Sequence, residues 1–292
     1  METSRAKGIA LMVAAMALIS VQEAFAKYLG ERLPLSQVIW GRYLGHLLLM
    51  LLLLLPVYGR TIFSANRPGM QVLRSLILLL DTACFFYGLT MIGLAEATAI
   101  FFTVPALVVV LSIPLLGERV RLPAVLAIAL GFVGTLVIVR PGSGTTDDMA
   151  LGALFIFIAA CCTALYNVIT RKLADADPLP VTLFYTAMIG ALVSSLVVPF
   201  HWQLPSQPFD WMALLSIGVF GGLAHSAIIA AHKFANATTV APFMYSQIFW
   251  ALLLGWLMFE QLPDRYSFAG GALVIASGLY LLYSGRQSRR SR

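Results

Sequence analysis

Apolar runs about as long as a bilayer is thick follow one another through nearly the whole chain. They lie near residues 8–29, 36–57, 70–91, 94–117, 122–139, 150–172, 180–199, 210–232, 237–259 and 266–284. A helix needs about 20 mainly apolar residues to cross the hydrocarbon core. Inside lipid every backbone N–H and C=O must be satisfied by helices or by a closed barrel, and these runs lack the alternation of barrel strands. The runs therefore predict an all-α integral membrane protein of ten transmembrane helices. Composition agrees: 60% of the residues are hydrophobic and 11% charged, against about 45–50% and about 25% in soluble domains. Pro34, Pro68, Pro123, Pro178, Pro180, Pro205, Pro208 and Pro263 fall in connections or at helix starts, as prolines must where helices are to run uninterrupted. The longest connections, around 58–69 and 140–149, leave no room for a soluble domain.

The net charge of +6 is scattered over short loops and the tail, so nucleic acid is not an expected partner. Lys and Arg beside apolar spans instead set orientation. With a cytoplasmic N-terminus, the inner side collects Arg5, Lys7, Arg60, Arg67, Arg74, Arg119, Arg121, Arg171, Lys172, Lys233 and four tail arginines, fourteen in all. The outer side receives only four: Lys27, Arg32, Arg140 and Arg265. This predicts a multi-pass protein of the cell inner membrane with both termini cytoplasmic. Cys84, Cys161 and Cys162 lie in apolar stretches and read as small packing residues. No Cys or His cluster has metal-ligand spacing, and neither metal nor cofactor is expected.

The end of the first run, "VQEAFAKYLGERLP" (21–34), admits two readings. Basic residues, an apolar run and Ala24-Phe25-Ala26 make up a signal peptide with its cleavage site; a permanent helix would instead leave Glu23 inside the bilayer. An internal repeat favours the helix. Shifted by 144 residues, "KYLGERLPL" (27–35) falls on "RKLADADPL" (171–179), matching Glu31 with Asp175. At nearly the same offset "EATAIFF" (96–102) meets "NATTVAP" (236–242), and "LLGER" (115–119) meets "LMFEQ" (257–261), pairing Glu118 with Glu260. Cleavage after Ala26 would remove the counterpart of an internal helix. Five helices per repeat is an odd number, so the repeats 1–144 and 145–292 insert in opposite orientations, the inverted-repeat plan of many secondary transporters.

Two stretches, "YGLTMIGLAEATAIFFTVPALVVVLSIPLLGERV" (87–120) and "FANATTVAPFMYSQIFWALLLGWLMFEQLPD" (234–264), each have an Ala-Thr-rich helix start and a Glu closing the span. With them the whole chain resembles the ten-helix drug/metabolite transporter superfamily, in its EamA-type branch. The resemblance implies a central cavity surrounded by helices 1–4 and 6–9, peripheral helices 5 and 10, and carriage of a small metabolite. "AKYLGERL", "FYGLTMIGLAEATAIFF" and "APFMYSQIFWALLLGWLMFEQLPD" are similar to the riboflavin and S-adenosylmethionine uptake subgroups.

Charged groups deep in spans cost at least about 2.5–3.5 kcal/mol and need a partner or a cavity. Glu23 and Arg42 each lie about six residues, roughly 9 Å, inside the outer ends of the first two runs. A short loop joins those runs, which predicts a Glu23–Arg42 pair. Such a pair either engages a polar part of the substrate at the cavity rim or only ties two helices together. Asp81 and His46 lie near the middle of their runs and form either a proton relay or ordinary buried groups. Tyr166 and Asn167 align with Gln22 and Glu23, so the depth is polar in both repeats but charged in one. His225 lies inside the eighth run behind Gly218, Gly221 and Gly222, with His232 at its interfacial end.

Pro105 and Pro242 interrupt the fourth and ninth runs at matching places, the usual pointer to a transporter's binding site. Thr98, Phe101, Phe102, Thr103, Tyr245, Ser246, Gln247, Phe249 and Trp250 cluster around them, as core or as an aromatic wall with a few hydrogen-bonding groups. Such a wall suits a flat heterocycle, which favours riboflavin over an aliphatic amino acid. Glu118 and Glu260 read as hinge-fixing acids that accept amides from the following helix, in preference to substrate contacts. Ala127, Gly131 and Gly134, with Ala272, Ala276 and Gly278, serve helix packing or a homodimer contact.

The expected activity is secondary transport of a small molecule by alternating access, with riboflavin as the first candidate. S-adenosylmethionine, an amino acid or a drug are the alternatives. An intramembrane enzyme is disfavoured because no H-E-x-x-H, G-x-S-x-G or P-loop is present. A channel would need a continuous polar pore, whereas the polar groups here converge on the middle.

Overall fold

The computed structural model describes residues 2–116, 122–139, 147–173, 176–235 and 240–290. Eleven α-helices run through them: α1 Glu2–Gly30, α2 Leu35–Tyr58, α3 Pro68–Leu89, α4 Leu94–Phe101, α5 Val104–Leu116, α6 Leu122–Val139, α7 Asp147–Leu173, α8 Leu179–Val197, α9 Pro208–Phe234, α10 Gln247–Phe259 and α11 Arg265–Arg290. Short 3-10 turns, Gly59–Phe63, Val198–His201 and Ala241–Ser246, extend α2 and α8 and lead into α10. Among the described residues seven helical stretches are long and apolar enough to cross a membrane, and Ile128–Ile138 and Phe243–Phe259 are shorter apolar helices. The protein is an all-α, multi-pass membrane bundle. Glu118, Arg119, Arg121, Arg140, Asp175, Asn236–Thr239 and Arg292 lie outside the described residues, as do the side chains of Arg5, Ala127, His232, Lys233, Pro242 and the remaining tail arginines.

Helix limits follow local chemistry. Pro68, Pro180 and Pro208 occupy first turns, where a missing N–H breaks no helical bond. Gln207 and Asp210 form a capping box at the start of α9, the Gln207 amide donating to Asp210 Oδ2 at 3.1 Å. The α10 helix stops at Glu260, whose φ of 54° is left-handed. There the Glu260 and Gln261 amides donate to Trp256 and Gly255 carbonyls, both at 3.0 Å. Glu260 itself is exposed, and it is Asp264 that caps the next helix, accepting the Ser267 amide at 2.9 Å. The amide acceptor expected at Glu260 is thus Asp264, which stands in N-cap position directly before α11.

The longest helix contacts pair α1 with α9, α3 with α7 and α6 with α11. α2 lies against both α8 and α9, α4 and α5 lie on α7, and α10 lies on α1 and α4. α1 and α2 touch far less than either touches α9, because a tight turn joins helix ends without obliging the helices to run together. Glycines make the closest crossings. A Cβ on Gly218 would stand 2.6 Å from His46 N and 2.7 Å from Gly45 Cα, so α2 and α9 meet backbone to backbone. One on Gly134 would stand 2.7 Å from the Gly270 carbonyl, and one on Gly131 would stand 2.9 Å from Ser277 Oγ. These faces of α6 and α11 therefore pack on each other within one chain.

Polar clasps close the two ends of the bundle. At one, Tyr28 Oη donates to Asp210 Oδ1 at 2.8 Å, and Gln37 exchanges bonds of 2.9 and 3.1 Å with the Gln203 backbone. At the other, Asp177 accepts the Asn66 amide at 2.6 Å and Gln71 Nε2 at 2.9 Å, while Tyr185 Oη donates to the Phe63 carbonyl at 3.0 Å. Burial works against an ionised Asp177, but the Gln71 bond, the Asn66 and Arg67 amides and the Arg67 charge outweigh it and hold its pKa below the ordinary value. A depressed carboxylate stabilises the fold above its unfolded pKa, and that contribution disappears as pH falls through the folded one. Asp177→Ala is therefore expected to cost about 2 kcal/mol at pH 7. In detergent melting curves the gap to wild type should close only below about pH 3.9; a gap unchanged to lower pH would show that the carboxylate charge is not what matters.

Candidate functional site

The polar candidates meet at an internal cavity of about 190 Å³ walled by α1, α2, α3, α4, α7 and α9. Glu23, Arg42, Asp81, Tyr166, Asn167 and His225 line it, with Phe85, Phe86 and Phe101 as its apolar wall. Phe101, Thr163 and Asn167 are shared with an adjoining space of about 210 Å³, where Phe102, Tyr245 and Gln247 stand beside Pro105. Phe102 and Tyr245 meet edge to face, with centroids 4.9 Å apart. The adjoining space borders the breaks in the fourth and ninth runs, at Phe102–Thr103 between α4 and α5 and at the turn before α10, while the first cavity reaches only the fourth, through Phe101.

Individual partners differ from those expected. Glu23 is buried on α1, and one carboxylate oxygen accepts Gln247 Nε2 at 2.9 Å while the other has no hydrogen-bond partner among the described residues. Gln247 stands at the junction of the 3-10 turn with α10, and its carbonyl accepts Ser20 Oγ at 3.3 Å. Arg42 donates to Thr82 Oγ1 and lies over the rings of Tyr43 and Phe86 at 5.3 and 5.4 Å. Glu23 and Arg42 thus line one cavity without forming the expected ion pair, because α1 and α2 diverge beyond their turn. Asp81 accepts Thr163 Oγ1 at 2.8 Å. His46 stacks on His225, with centroids 6.1 Å apart and planes 9° apart, and its Nε2 has no hydrogen-bond partner among the described residues. No hydrogen bond joins Asp81 to His46, since the α2–α9 crossing carries the histidine toward α9 and away from α3.

Residues 6–140 and 150–284 each match the model of the EamA-like transporter family. The chain belongs to that family. It is similar over almost its whole length to the S-adenosylmethionine uptake transporter of Rickettsia prowazekii (strain Madrid E), 27% identical over 285 residues, 98% of this chain and 95% of that one. The pseudopaline exporter of Pseudomonas aeruginosa is 28% identical over 280 residues, 94% of this chain and 95% of its own. The riboflavin transporter of Vibrio cholerae is 25% identical over 290 residues, 98% and 96% of the two chains. A crystal structure at 18% identity superposes with a TM-score of 0.67 over 97% of this chain and 98% of that one, a likeness of fold alone. The protein is thus a small-molecule transporter of the secondary type, not an enzyme.

In this EamA-like transporter Thr98 is not on the wall of either space; it is buried and donates to the Leu94 carbonyl of its own helix at 2.8 Å. His46 stands behind His225 rather than on the wall. Two cations counted as loop charges are buried instead. Lys27 is 2% exposed and donates to the Leu89 and Ile92 carbonyls at 2.6 and 2.9 Å, closing the C-terminal end of α3. Arg74 is wholly buried between α3, α7 and α8. Its place inside the 70–91 run is the sequence signal that marks it as a membrane residue. Thr82 and Thr163, which hold Arg42 and Asp81, carry no such signal, because a threonine in a helix looks the same whatever it faces.

Proposed function

We propose that this transporter carries a small zwitterionic or cationic metabolite with an aromatic ring, and that S-adenosylmethionine is the best-supported case. The observation that carries this reading is the placement of two carboxylates, Glu23 and Asp81, and one guanidinium, Arg42, on a cavity whose wall also holds the rings of Phe85, Phe86 and Phe101. S-adenosylmethionine offers a sulfonium and an ammonium to the acids, a carboxylate to the arginine and an adenine to the rings. Its amino-acid end suits hydrogen bonds from Tyr166, Asn167 and Gln247, with Phe102, Tyr245 and His225 shaping the space around the ring. Riboflavin, the first candidate from the sequence, has no charge at neutral pH and would leave these ionic groups desolvated and unmatched. Uptake transporters for S-adenosylmethionine from Rickettsia stand among the relatives, which supports the same choice.

The transport cycle in this reading is alternating access between inverted repeats, 1–144 and 145–292. Exchanging the five spans of one half with those of the other turns the α1–α9 pairing into the α7–α3 pairing, and that of α10 with α1 into that of α4 and α5 with α7. The family model's two consecutive matches support the same division. Without the buried Lys27 and Arg74, thirteen inner cations still face three outer ones, which supports cytoplasmic termini in an inner membrane.

The test is uptake of labelled S-adenosylmethionine, riboflavin and methionine into cells expressing the chain, with and without a protonophore. S-adenosylmethionine uptake should exceed the vector control at least about tenfold and resist competition by riboflavin. Riboflavin uptake without S-adenosylmethionine uptake would overturn the choice.

A further inference from the structure

Beneath the cavity lies a charged group that the substrate-binding wall does not use. Arg74 has no exposed surface, and among the described residues its hydrogen-bond partners are all neutral: Tyr166 Oη at 2.9 Å, Thr170 Oγ1 at 3.2 Å, the Thr182 carbonyl at 2.6 Å and Thr186 Oγ1. Its Nε has no partner, and among the described residues no carboxylate pairs with it. A knot that only tied α3 to α7 and α8 would hold more cheaply with neutral side chains, since desolvating a guanidinium without an anion is costly. What separates this charge from the cavity is Tyr166. Its hydroxyl accepts Arg74 and its ring lies 4.7 Å from the guanidinium, yet Tyr166 is also part of the cavity wall. Leu78 and Asp81, four and seven residues along α3 from Arg74, line the cavity from the same helical face. In the other direction that face continues through Gln71 to the Asp177 clasp.

We propose that Arg74 is a second anion site, exposed when the seam between α3 and α7–α8 opens and Tyr166 leaves the guanidinium, and that it receives the substrate carboxylate released from Arg42. This rests on the zwitterionic-substrate reading. The planar fork of arginine suits a carboxylate in two parallel bonds, and the seam then forms the path between the cavity and the Asp177 end of the bundle. The outward arginine binds the substrate and the deeper one draws it through.

The test compares S-adenosylmethionine with its decarboxylated form, both labelled, in proteoliposomes and in equilibrium binding. In Arg74→Gln, binding of S-adenosylmethionine should stay within about threefold of wild type while its uptake falls at least about tenfold, and uptake of the decarboxylated form should change less than about threefold. Equal losses for the two compounds, in Arg74→Gln or in Arg74→Lys, would mark a purely structural residue and overturn the proposal. A second measurement does not depend on the substrate's identity. In a chain with Cys84, Cys161 and Cys162 changed to Ala, Thr186→Cys should react with a membrane-impermeant thiol reagent from the face that labels an Arg67→Cys control. Acetate should slow that reaction when Arg74 is present and have no effect in Arg74→Gln. No reaction, or no effect of acetate, overturns the second site even if neither adenosyl compound is transported, an outcome that would by itself remove only the substrate reading.

Discussion

Arg42→Gln is expected to lower S-adenosylmethionine uptake about 100-fold while leaving the bundle folded. On the proposed reading Arg42 holds the substrate carboxylate, and removing one member of a desolvated charge pair costs about 2–5 kcal/mol. Arg42 is half-buried, so a loss of about 3 kcal/mol is appropriate, which is the 100-fold factor. The fold should hold because no buried group is orphaned. Thr82 still donates to the Leu78 carbonyl at 2.9 Å and lies 2.9 Å from the Tyr43 hydroxyl. The loss should fall on KM, because the interaction is already made on binding. Arg42→Lys should recover part of it, keeping the charge but not the fork. Decarboxylated substrate should suffer less than about tenfold. Melting curves and a kinetic series on both compounds provide the check; equal losses for both, or an unfolded variant, would take Arg42 out of the site.

Gly218→Val is expected to leave little folded protein. The clash falls on the main chain of α2, where His46 N and Gly45 Cα lie 2.6 and 2.7 Å from the position a Cβ would take. A flexible side chain yields to such contact, but two helix backbones must move apart. Overpacking commonly costs 1–3 kcal/mol and sometimes more, and here separation would also loosen Gly222 from Leu49 and His46 from His225. A cost above about 3 kcal/mol follows. Gly218→Ala should show a smaller but clear fall in melting temperature. Gly69→Ala is the control, since nothing lies within 4 Å of its Cβ position, and it should be neutral or stabilising by about 0.5 kcal/mol. Yield of monodisperse protein in detergent and its melting temperature decide the matter. A well-folded Gly218→Val would mean the two helices do not meet at this glycine.

Much of the fold is legible along the chain. The expected spans 36–57, 70–91 and 210–232 correspond to α2 at 35–58, α3 at 68–89 and α9 at 208–234. Span length and proline placement are local properties, so they survive being read without the third dimension. The matched prolines likewise lie at the breaks beside the second of the two spaces. Glu23, Arg42 and Asp81 stand out as charges that lipid will not tolerate unaided, and all three reach the cavity. Arg74 shows the limit of this reasoning. Its place inside the 70–91 run marks it as a membrane residue although the count toward orientation takes it as a loop charge, and which groups surround it emerges only when its helix is placed among its neighbours.

Partner choice is the part that sequence spacing does not carry. Glu23 bonds Gln247, 224 positions away, rather than the arginine across the nearest turn, and Asp81 bonds Thr163 rather than the histidine of the preceding span. Spacing along a helix says which residues share a face, but not which helix that face meets. That was decided by the glycine crossing of α2 on α9 and by the close runs of α1 on α9 and α3 on α7. The sequence by itself determined a membrane bundle with charges that had to converge. Only tertiary packing decided which neutral groups hold those charges, and that Arg74 lies sealed below Tyr166, because the cost of a buried charge is settled by whatever side chains the other helices bring to it.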